Sequence, residues 1–398
     1  MQSVYIVAAK RSAIGKYTGS LSSVRPDDLL AYAIQAVLKE LPNVDVNDID
    51  EVISGAANQS GEDNRNVARM AVLLAGLPVT VPGVTVNRLC ASGLQAIIDG
   101  YRSIAIGENQ LVLAGGVESM TRAPFVMAKA TQAFQRTTEI FDTTIGWRFT
   151  NPKLAEMYYP YSMGETAENV AKKLNISREA QDEFAYQSQY KYKVAFENGK
   201  FRQEIFDIEI NEGKSTRIFN VDEHPRFSTL EQLAKLKPAF VKDGTVTAGN
   251  SSGINDGSAM LLLANEAMVK KYQWKPMARI VGAASAGVDP SIMGLGPVPA
   301  TQKLLKQTGL SLQDMGLVEL NEAFASQSLG CIQQLNINPE IVNVNGGAIA
   351  LGHPLGCSGA RITTTLLYEM QRRPQVNYGL STLCIGVGQG LAMIVEKC

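Results

Sequence analysis

A cysteine set between a strand and a helix can serve as a nucleophile, and Cys90 is placed that way. It lies in VTVNRLCASG, residues 84–93. The run Val84-Thr85-Val86, behind Pro82-Gly83, reads as a strand. From Ala91 to Ile106, the residues Leu94, Ile97, Ile98, Tyr101, Ile104 and Ala105 recur at helical spacing. Unpaired N–H groups and the positive dipole end of that helix would face the sulfur. They would favour thiolate, the nucleophilic form. The competing reading is a small apolar residue in a buried corner, and this stretch alone leaves the two even.

Four more residues could share that chemistry. His353, one of two histidines, lies in NGGAIALGHPLGCSG, with glycines at 346, 347, 352, 356 and 359. Glycines let a backbone pass close to another group, and a histidine beside a cysteine makes an activated nucleophile. Cys384 ends an apolar strand and is followed by IGVGQG. There a second thiol could act as acid and base, or fill the core. The glycine run is no nucleotide loop, because a strand follows it and not a helix. Asn321 and Glu322, in ELNEAFA, follow the apolar pair Leu317-Val318. They could hold a water or an oxyanion, or cap the next helix. The other histidine, His224 in DEHPR, reads as loop surface. Two thiols and a histidine without a metal suit one reaction class. One thiol carries an acyl group as a thioester, and the other moves a proton at the α-carbon of a second thioester. Run backwards, the same site cleaves a 3-oxoacyl thioester with a free thiol.

The elements that must position these residues repeat. YIVAAKRSAIG from Tyr5 is similar to RIVGAASAGVD from Arg279, and DIDEVISGA from Asp48 to DMGLVELNEA from Asp314. VTVN from Val84 pairs with VNVN from Val342, and CASG ending at Gly93 with GCSG ending at Gly359. LVLAGG from Leu111 pairs with LSTLCIG from Leu380, and GSAMLLLA from Gly257 with GLAMIVE from Gly390. Six matches in one order mark an internal duplication. Each half alternates strand and helix, which predicts an α/β fold with mostly parallel sheets. Two such halves would pack helix on helix about a pseudo-dyad, bringing Cys90 and His353 together. Only the first half is interrupted, by residues 117–256, with helical patterns at Glu165–Leu174 and at Arg178–Asn198 behind Ser177. The expected division is 1–118 with 251–272, an inserted substrate-binding unit 119–250, and 273–398.

Composition narrows the function. The 398 residues carry 37 basic and 38 acidic side chains, a net charge of −1, which gives no bulk support for a nucleic-acid or membrane-surface role. Five scattered cysteines and two histidines argue against a disulfide framework and against a metal site. No apolar run is long enough to span a bilayer, and Met1 leads into VYIVAA without a basic leader. A reduced, cytoplasmic enzyme is expected.

Through these residues and their surroundings the chain resembles the thiolase family over nearly its whole length. The motifs are NRLCASG, GGVESM, SMGETAENVA, DEHPR, TAGNSSGINDG, NEAFA, NGGAIALGHPLGCSGAR and CIGVGQG. The resemblance implies the thiolase fold: two pseudo-symmetric βαβαβαββ halves in a five-layer α-β-α-β-α sandwich with an inserted loop domain. It implies thiolytic cleavage of 3-oxoacyl-CoA to acetyl-CoA and a shortened acyl-CoA. Coenzyme A would be a substrate, with no tightly bound cofactor, and the assembly a homotetramer built as a dimer of dimers. Carried over by motif, Cys90 would take the acyl group, His353 would activate it, and Cys384 would be the acid and base. Asn321 would hold a water in one oxyanion hole, and the N–H groups of Cys90 and Gly386 would form the other. Ser252 would meet the pantetheine arm and Arg226 the adenine end, with Ser162 and Met163 also on the coenzyme side.

Several segments, SLSSVRPDDL, GEDNRNVARM, ESMTRAPFVM and EIFDTTIGWRFTNP among them, are more similar to members acting on 3-oxoadipyl-CoA in aromatic degradation. Those members typically have Met-Pro-Glu-Thr where this chain has Met163-Gly164-Glu165-Thr166, as general thiolases do. A distal carboxylate would need a cation in the acyl pocket, for which Arg148 is the candidate against a solvated loop role. Residues Met120 to Phe125 are expected to form part of the tetramer-forming loop. The alternatives are a general acetyltransferase or fatty-acid 3-ketoacyl-CoA thiolase, a decarboxylating ketoacyl synthase, a cysteine hydrolase, and a non-catalytic acyl-CoA binding protein. The synthase relative needs another active-site histidine, a hydrolase leaves Cys384 without a role, and a binder needs none of the three reactive side chains.

Overall fold

The computed structural model describes residues 2–213 and 215–398. Strand β1 (Val4–Ser12) leads to helix α1 (Pro26–Glu40), which opens with Pro26 in its first turn and Asp27 and Asp28 at the positive dipole end. Strand β2 (Glu51–Gly55) is followed by α2 (Val67–Leu74), capped by the Asn66 side chain. Then come β3 (Gly83–Val86), α3 (Ser92–Ala105) and β4 (Leu111–Ser119). Residues 120–254 carry α4 (Met163–Leu174) and α5 (Arg178–Glu197). The chain re-enters the sheet at β5 (Asn255–Asn265). The second half runs through β6 (Ala278–Gly287), α6 (Pro297–Thr308), β7 (Met315–Leu320), α7 (Ala325–Leu335) and α8 (Leu355–Arg372). It ends with β8 (Tyr378–Ile385) and β9 (Gln389–Lys397).

The strand order β3-β2-β4-β5-β1 of the first half is matched by β7-β8-β9-β6 in the second. A parallel bridge from Val318 to Val342 stands where β3 stands in the first half. The halves meet where Tyr5 pairs with Arg279 and Ile6 with Ala278. The sheets are less parallel than expected. β2 pairs parallel with β3 and β4, and β7 with β8, but β4-β5-β1 and β8-β9-β6 run antiparallel. The reason is local: β8 turns back into β9 through a tight hairpin, so no crossover helix intervenes.

Three apolar layers separate the elements. Leu29, Leu30 and Ile34 of α1 and Val72 of α2 pack on Val52, Leu113 and Leu262. Ile97 and Ile98 of α3 and Ile362 and Leu366 of α8 pack between both sheets, against Val112, Leu263, Leu383 and Met393. Leu304 of α6 and Leu335 of α7 cover Val318, Leu380 and Ile394. This is the expected five-layer α-β-α-β-α sandwich, with α3 and α8 in the middle. β4 is buried along its whole length because helices cover both its faces. Each fully buried Leu or Ile there contributes roughly 1.5–3 kcal/mol.

The first turns of α3 and α8 touch backbone to backbone. A methyl group at Gly93 would lie 2.7 Å from the Gly356 carbonyl oxygen and 3.0 Å from the Ala360 nitrogen. A methyl at Gly116 would fall on that same carbonyl, inside contact distance. Gly116→Ala is therefore expected to cost about 3 kcal/mol or more, the range of overpacked cores with no room to relax. Urea unfolding measures it, and a change within experimental error would show that the two helices can slide apart freely.

The insertion is tied to the core more closely than expected. Ile205–Phe206 pairs parallel with Arg11 and Ser12, a stretch of β1 that β6 leaves open. Buried Arg11 bonds Glu204 at 2.6 Å and Asp222 through both terminal nitrogens at 2.7 and 3.1 Å. Ser177 caps α5 through the Ala180 N–H. α4 starts two residues before the expected Glu165, because Ser162 and Glu165 form a capping box.

Candidate active site

Cys90 sits in a single 3-10 turn, Leu89–Ala91, between β3 and α3. Its neighbours build that turn. Asn87 Oδ1 accepts the Leu89 N–H at 2.9 Å while its Nδ2 donates to the Ala57 carbonyl. The Ser92 hydroxyl accepts from the Arg88 N–H and donates to the Leu89 carbonyl. Leu89 is held at φ +47°, a conformation that costs about 1–3 kcal/mol and persists only where its surroundings enforce it. The turn packs against α8 and β8.

Electrostatics corrects one expectation. Desolvation works against the helix end at Cys90. Burial pushes the thiol up to about 11, and Glu118 adds to the rise, while N–H groups of Gly386 and Cys90 itself pull the other way. A raised thiol holds little thiolate at neutral pH, so a base must remove the proton. Alkylation of Cys90 by iodoacetamide in the free protein is therefore expected to climb with pH beyond 9 without levelling. A plateau near pH 7 would mean a stored thiolate instead.

His353 stands just before α8. Its backbone N–H donates to Asn255 Oδ1 at 3.0 Å, and Nδ1 lies 2.6 Å from Ser358 Oγ. The Ser358 hydroxyl proton goes to the Pro354 carbonyl at 2.7 Å. With that proton so used, Ser358 accepts from His353, which favours the proton on Nδ1 and turns the Nε2 lone pair towards Asn321 Nδ2 at 3.4 Å. Burial and the charge of Arg361 lower the imidazole to about 3, so it is neutral near pH 7.

Asn321 follows β7, with its N–H bonded to the Thr382 carbonyl. Its Nδ2 lies 3.4 and 3.5 Å from the two ring nitrogens of His353, and its buried Oδ1 has no protein partner. Neither Asn321 nor Glu322 caps the next helix, which starts at Ala325 without a side-chain cap. Glu322 instead accepts from Ser188 at 2.6 Å, Asn343 at 2.7 Å and the Ile349 N–H at 3.2 Å, clamping the insertion to the second half.

Cys384 is fully buried on β8, among Met163, Ala167, Val246, Met293, Ala323 and Phe324. Burial raises its thiol well above the ordinary range, and the nearby sulfurs of Cys90 and Cys331 add to the rise. Gly386 follows in the hairpin, with its N–H towards Cys90. A methyl there would lie 3.2 Å from Leu89 and 3.7 Å from Met163 Sδ. Val387 and Gly388 take φ +64° and +82°, and the Gly388 carbonyl is held by the Val288 N–H.

The residues expected to meet the coenzyme divide. The Ser252 N–H donates to the Ala323 carbonyl beside Asn321, and Arg226 lies exposed, with Nη2 3.2 Å from the Ala248 carbonyl. Ser162 is occupied as a helix cap, and Met163 lies with Cys384 and Gly386. Arg148 is half-buried next to Trp147, whose indole N–H donates to Tyr161. His224 is not loop surface. It is 6 % exposed, with its ring against Gly253, where a methyl would lie 2.8 Å from Nδ1. Burial lowers it to about 4. The short Gly253 beside Ser252 admits the ring, which the Pro225 neighbour did not reveal.

Sequence reasoning gave no role to Glu118. Its carboxylate accepts the N–H of Gly356 at 2.7 Å, of Ala57 at 2.9 Å and of Asn58 at 3.1 Å. It so fixes the start of α8 against the end of β4, and burial pushes it up to about 7. The available signal was a single acid in an otherwise uncharged strand. Among the described residues no cluster suits a metal ion, and no helix is long and apolar enough to cross a membrane.

Comparison with known proteins agrees with this arrangement. The profile for the thiolase N-terminal domain matches residues 4–267, and that for the thiolase C-terminal domain matches residues 274–397. The chain is 54% identical over 397 residues to a beta-ketoadipyl-CoA thiolase of Pseudomonas aeruginosa, covering 99% of both chains. It is 54% identical over 402 residues to a 3-oxoadipyl-CoA/3-oxo-5,6-dehydrosuberyl-CoA thiolase of Escherichia coli K12, covering 100% of both. Among solved structures it matches human mitochondrial 3-ketoacyl-CoA thiolase in complex with CoA. The TM-score is 0.92 at 45% identity, over 100% of this chain and 98% of that one.

Proposed function

The chain belongs to the thiolase family, an acyltransferase that cleaves 3-oxoacyl-CoA thioesters, and from that premise we propose 3-oxoadipyl-CoA as its substrate and Cys90, His353 and Cys384 as its reacting groups. The observation that carries the chemistry is the Gly386 N–H aimed at Cys90, in a turn that packs on the strand bearing Cys384. The substrate rests on relatives that bear that name and match end to end.

In the forward direction, His353 Nε2 takes the Cys90 proton as the sulfur attacks C3 of the 3-oxoacyl chain. The C2–C3 bond then breaks, and the electron pair becomes the enolate of acetyl-CoA. Asn321, through a held water, and His353 stabilise that oxygen. Cys384 gives its proton to C2, and acetyl-CoA departs. Free coenzyme A then loses its thiol proton to the Cys384 thiolate and attacks the acyl group on Cys90. The N–H groups of Cys90 and Gly386 receive the oxyanion. The Cys90 sulfur leaves, recovering its proton from His353. From a six-carbon 3-oxodiacid the second product is a four-carbon diacid monothioester. Coenzyme A is a substrate, held by Ser252 along its pantetheine arm and by Arg226 at its adenine end. Met163 is reassigned to the acyl side, next to Cys384.

A second reading, a general 3-ketoacyl-CoA thiolase, is favoured by the apolar packing around Cys384 and by the Met163-Gly164 pair. Thiolysis rates for 3-oxoadipyl-CoA, acetoacetyl-CoA and a medium-chain 3-oxoacyl-CoA separate the two, since comparable rates would remove the oxoadipyl preference. Arg148→Ala tests the carboxylate partner. Its expected effect is about a tenfold loss of preference for the oxoadipyl chain over the plain ones, the worth of one charged hydrogen bond. Unchanged selectivity would return Arg148 to the loop. The proposed assembly is a cytoplasmic homotetramer. Its support is the exposed apolar set Phe125, Met127, Phe134, Ile140 and Met157, and a monomer in sedimentation would refute it.

A further inference from the structure

Among the described residues two arginines are fully buried, and the fold treats them differently. Arg11 is bonded to Glu204 and Asp222. None of the three guanidinium nitrogens of Arg361 reaches a hydrogen-bond acceptor of the protein. Its nearest carboxylate is Glu319, with Oε2 3.7 Å from Nη1, beyond hydrogen-bond reach. That oxygen also lacks a donor. A buried pair without hydrogen bonds is commonly no more stabilising than apolar side chains of similar volume. Stability does not explain why the core holds it.

Its location does. Arg361 stands on α8, whose leading end carries His353, and Glu319 stands on β7, two residues before Asn321. The side chains of His353 and Asn321 meet at 3.4 Å. Among the described residues no hydrogen bond joins α8 to β7, so the Arg361–Glu319 contact is the polar tie between those two elements. The Thr363 and Thr365 hydroxyls reach Ser381 on β8 and Glu204 in the insertion instead. We propose that Arg361 and Glu319 form a positioning pair that holds α8 against β7 and so keeps His353 and Asn321 in register. The pair acts through those two residues and touches no substrate. The inference rests on the thiolase reading.

The test separates positioning from stability. Arg361→Met leaves Glu319 buried alone and is expected to lower both stability and turnover. The double variant Arg361→Met with Glu319→Met removes both polar groups. It is expected to recover the wild-type unfolding midpoint to within about 3 °C. Its kcat for thiolysis should still be about 10- to 100-fold down, the effect of a small misplacement of reacting groups. KM for coenzyme A should stay within about twofold. Arg361→Lys keeps a cation and is expected to hold kcat within about threefold of wild type. If Arg361→Met does not fold, the double and lysine variants carry the comparison. A double variant with wild-type kcat overturns the proposal, as does turnover that merely tracks stability across the variants. Wild-type protein without thiolysis would sink the thiolase reading itself, a different result.

Discussion

Cys90→Ser is expected to fold normally and to lose thiolysis by about 10⁴-fold or more, the scale seen when a covalent nucleophile is removed from a set that acts as a unit. The replacement is nearly isosteric, and the turn that holds residue 90 is built by Asn87 and Ser92, so stability should change little. The chemistry changes greatly. Burial already pushes the thiol up to about 11, and a hydroxyl in the same place starts far higher. A base matched to the thiol no longer suffices for the hydroxyl. A serine variant keeping a tenth of the wild-type rate would mean that Cys90 carries no acyl group. Initial rates with free coenzyme A, alongside urea unfolding, decide this.

His353→Ala is the second large effect, expected to lower kcat by about 10³-fold with KM for coenzyme A changed only slightly. The side chain is asked to do two things. In the proposed mechanism its Nε2 takes the Cys90 proton, and with Asn321 it stabilises the enolate oxygen of the leaving acetyl-CoA. Both act after binding, so the loss belongs in kcat. The tautomer argument adds a smaller companion result. Ser358→Ala removes the acceptor of the Nδ1 proton, lets the ring adopt the other tautomer, and should cost turnover without unfolding the protein. A loss for His353→Ala confined to KM would place the residue in the coenzyme site and not in the chemistry.

The duplicated fold was legible because each repeat match is a strand or helix terminus with its own pattern of apolar residues. The order of matches also located the interruption between β4 and β5. The antiparallel pairings were not legible, because strand periodicity is blind to direction, and only the hairpin at Gly386–Gly388 and the long excursion after Ser119 decide it. Among the candidate site residues, Cys90, His353 and Cys384 stood out by type and by position at element ends. Their electrostatics did not. The helix end argued for a low thiol at Cys90, whereas burial under α8 and β8 dominates, and burial depends on contacts between residues hundreds of positions apart. Glu118 and His224 were missed for the same reason. One is fixed by the backbone of Gly356 and the other by the space at Gly253. Arg361 was quoted only as the end of a motif, and its isolation inside the core is a property of packing alone.

The most direct test of the central claim is to mix the protein with 3-oxoadipyl-CoA in the absence of free coenzyme A and to identify the modified peptide by mass spectrometry. One acetyl-CoA is expected to be released per site, leaving a four-carbon acyl group with a terminal carboxylate on Cys90 that is discharged when coenzyme A is added. An acyl group on Cys384, or acetyl-CoA released without any acylated cysteine, would contradict that claim.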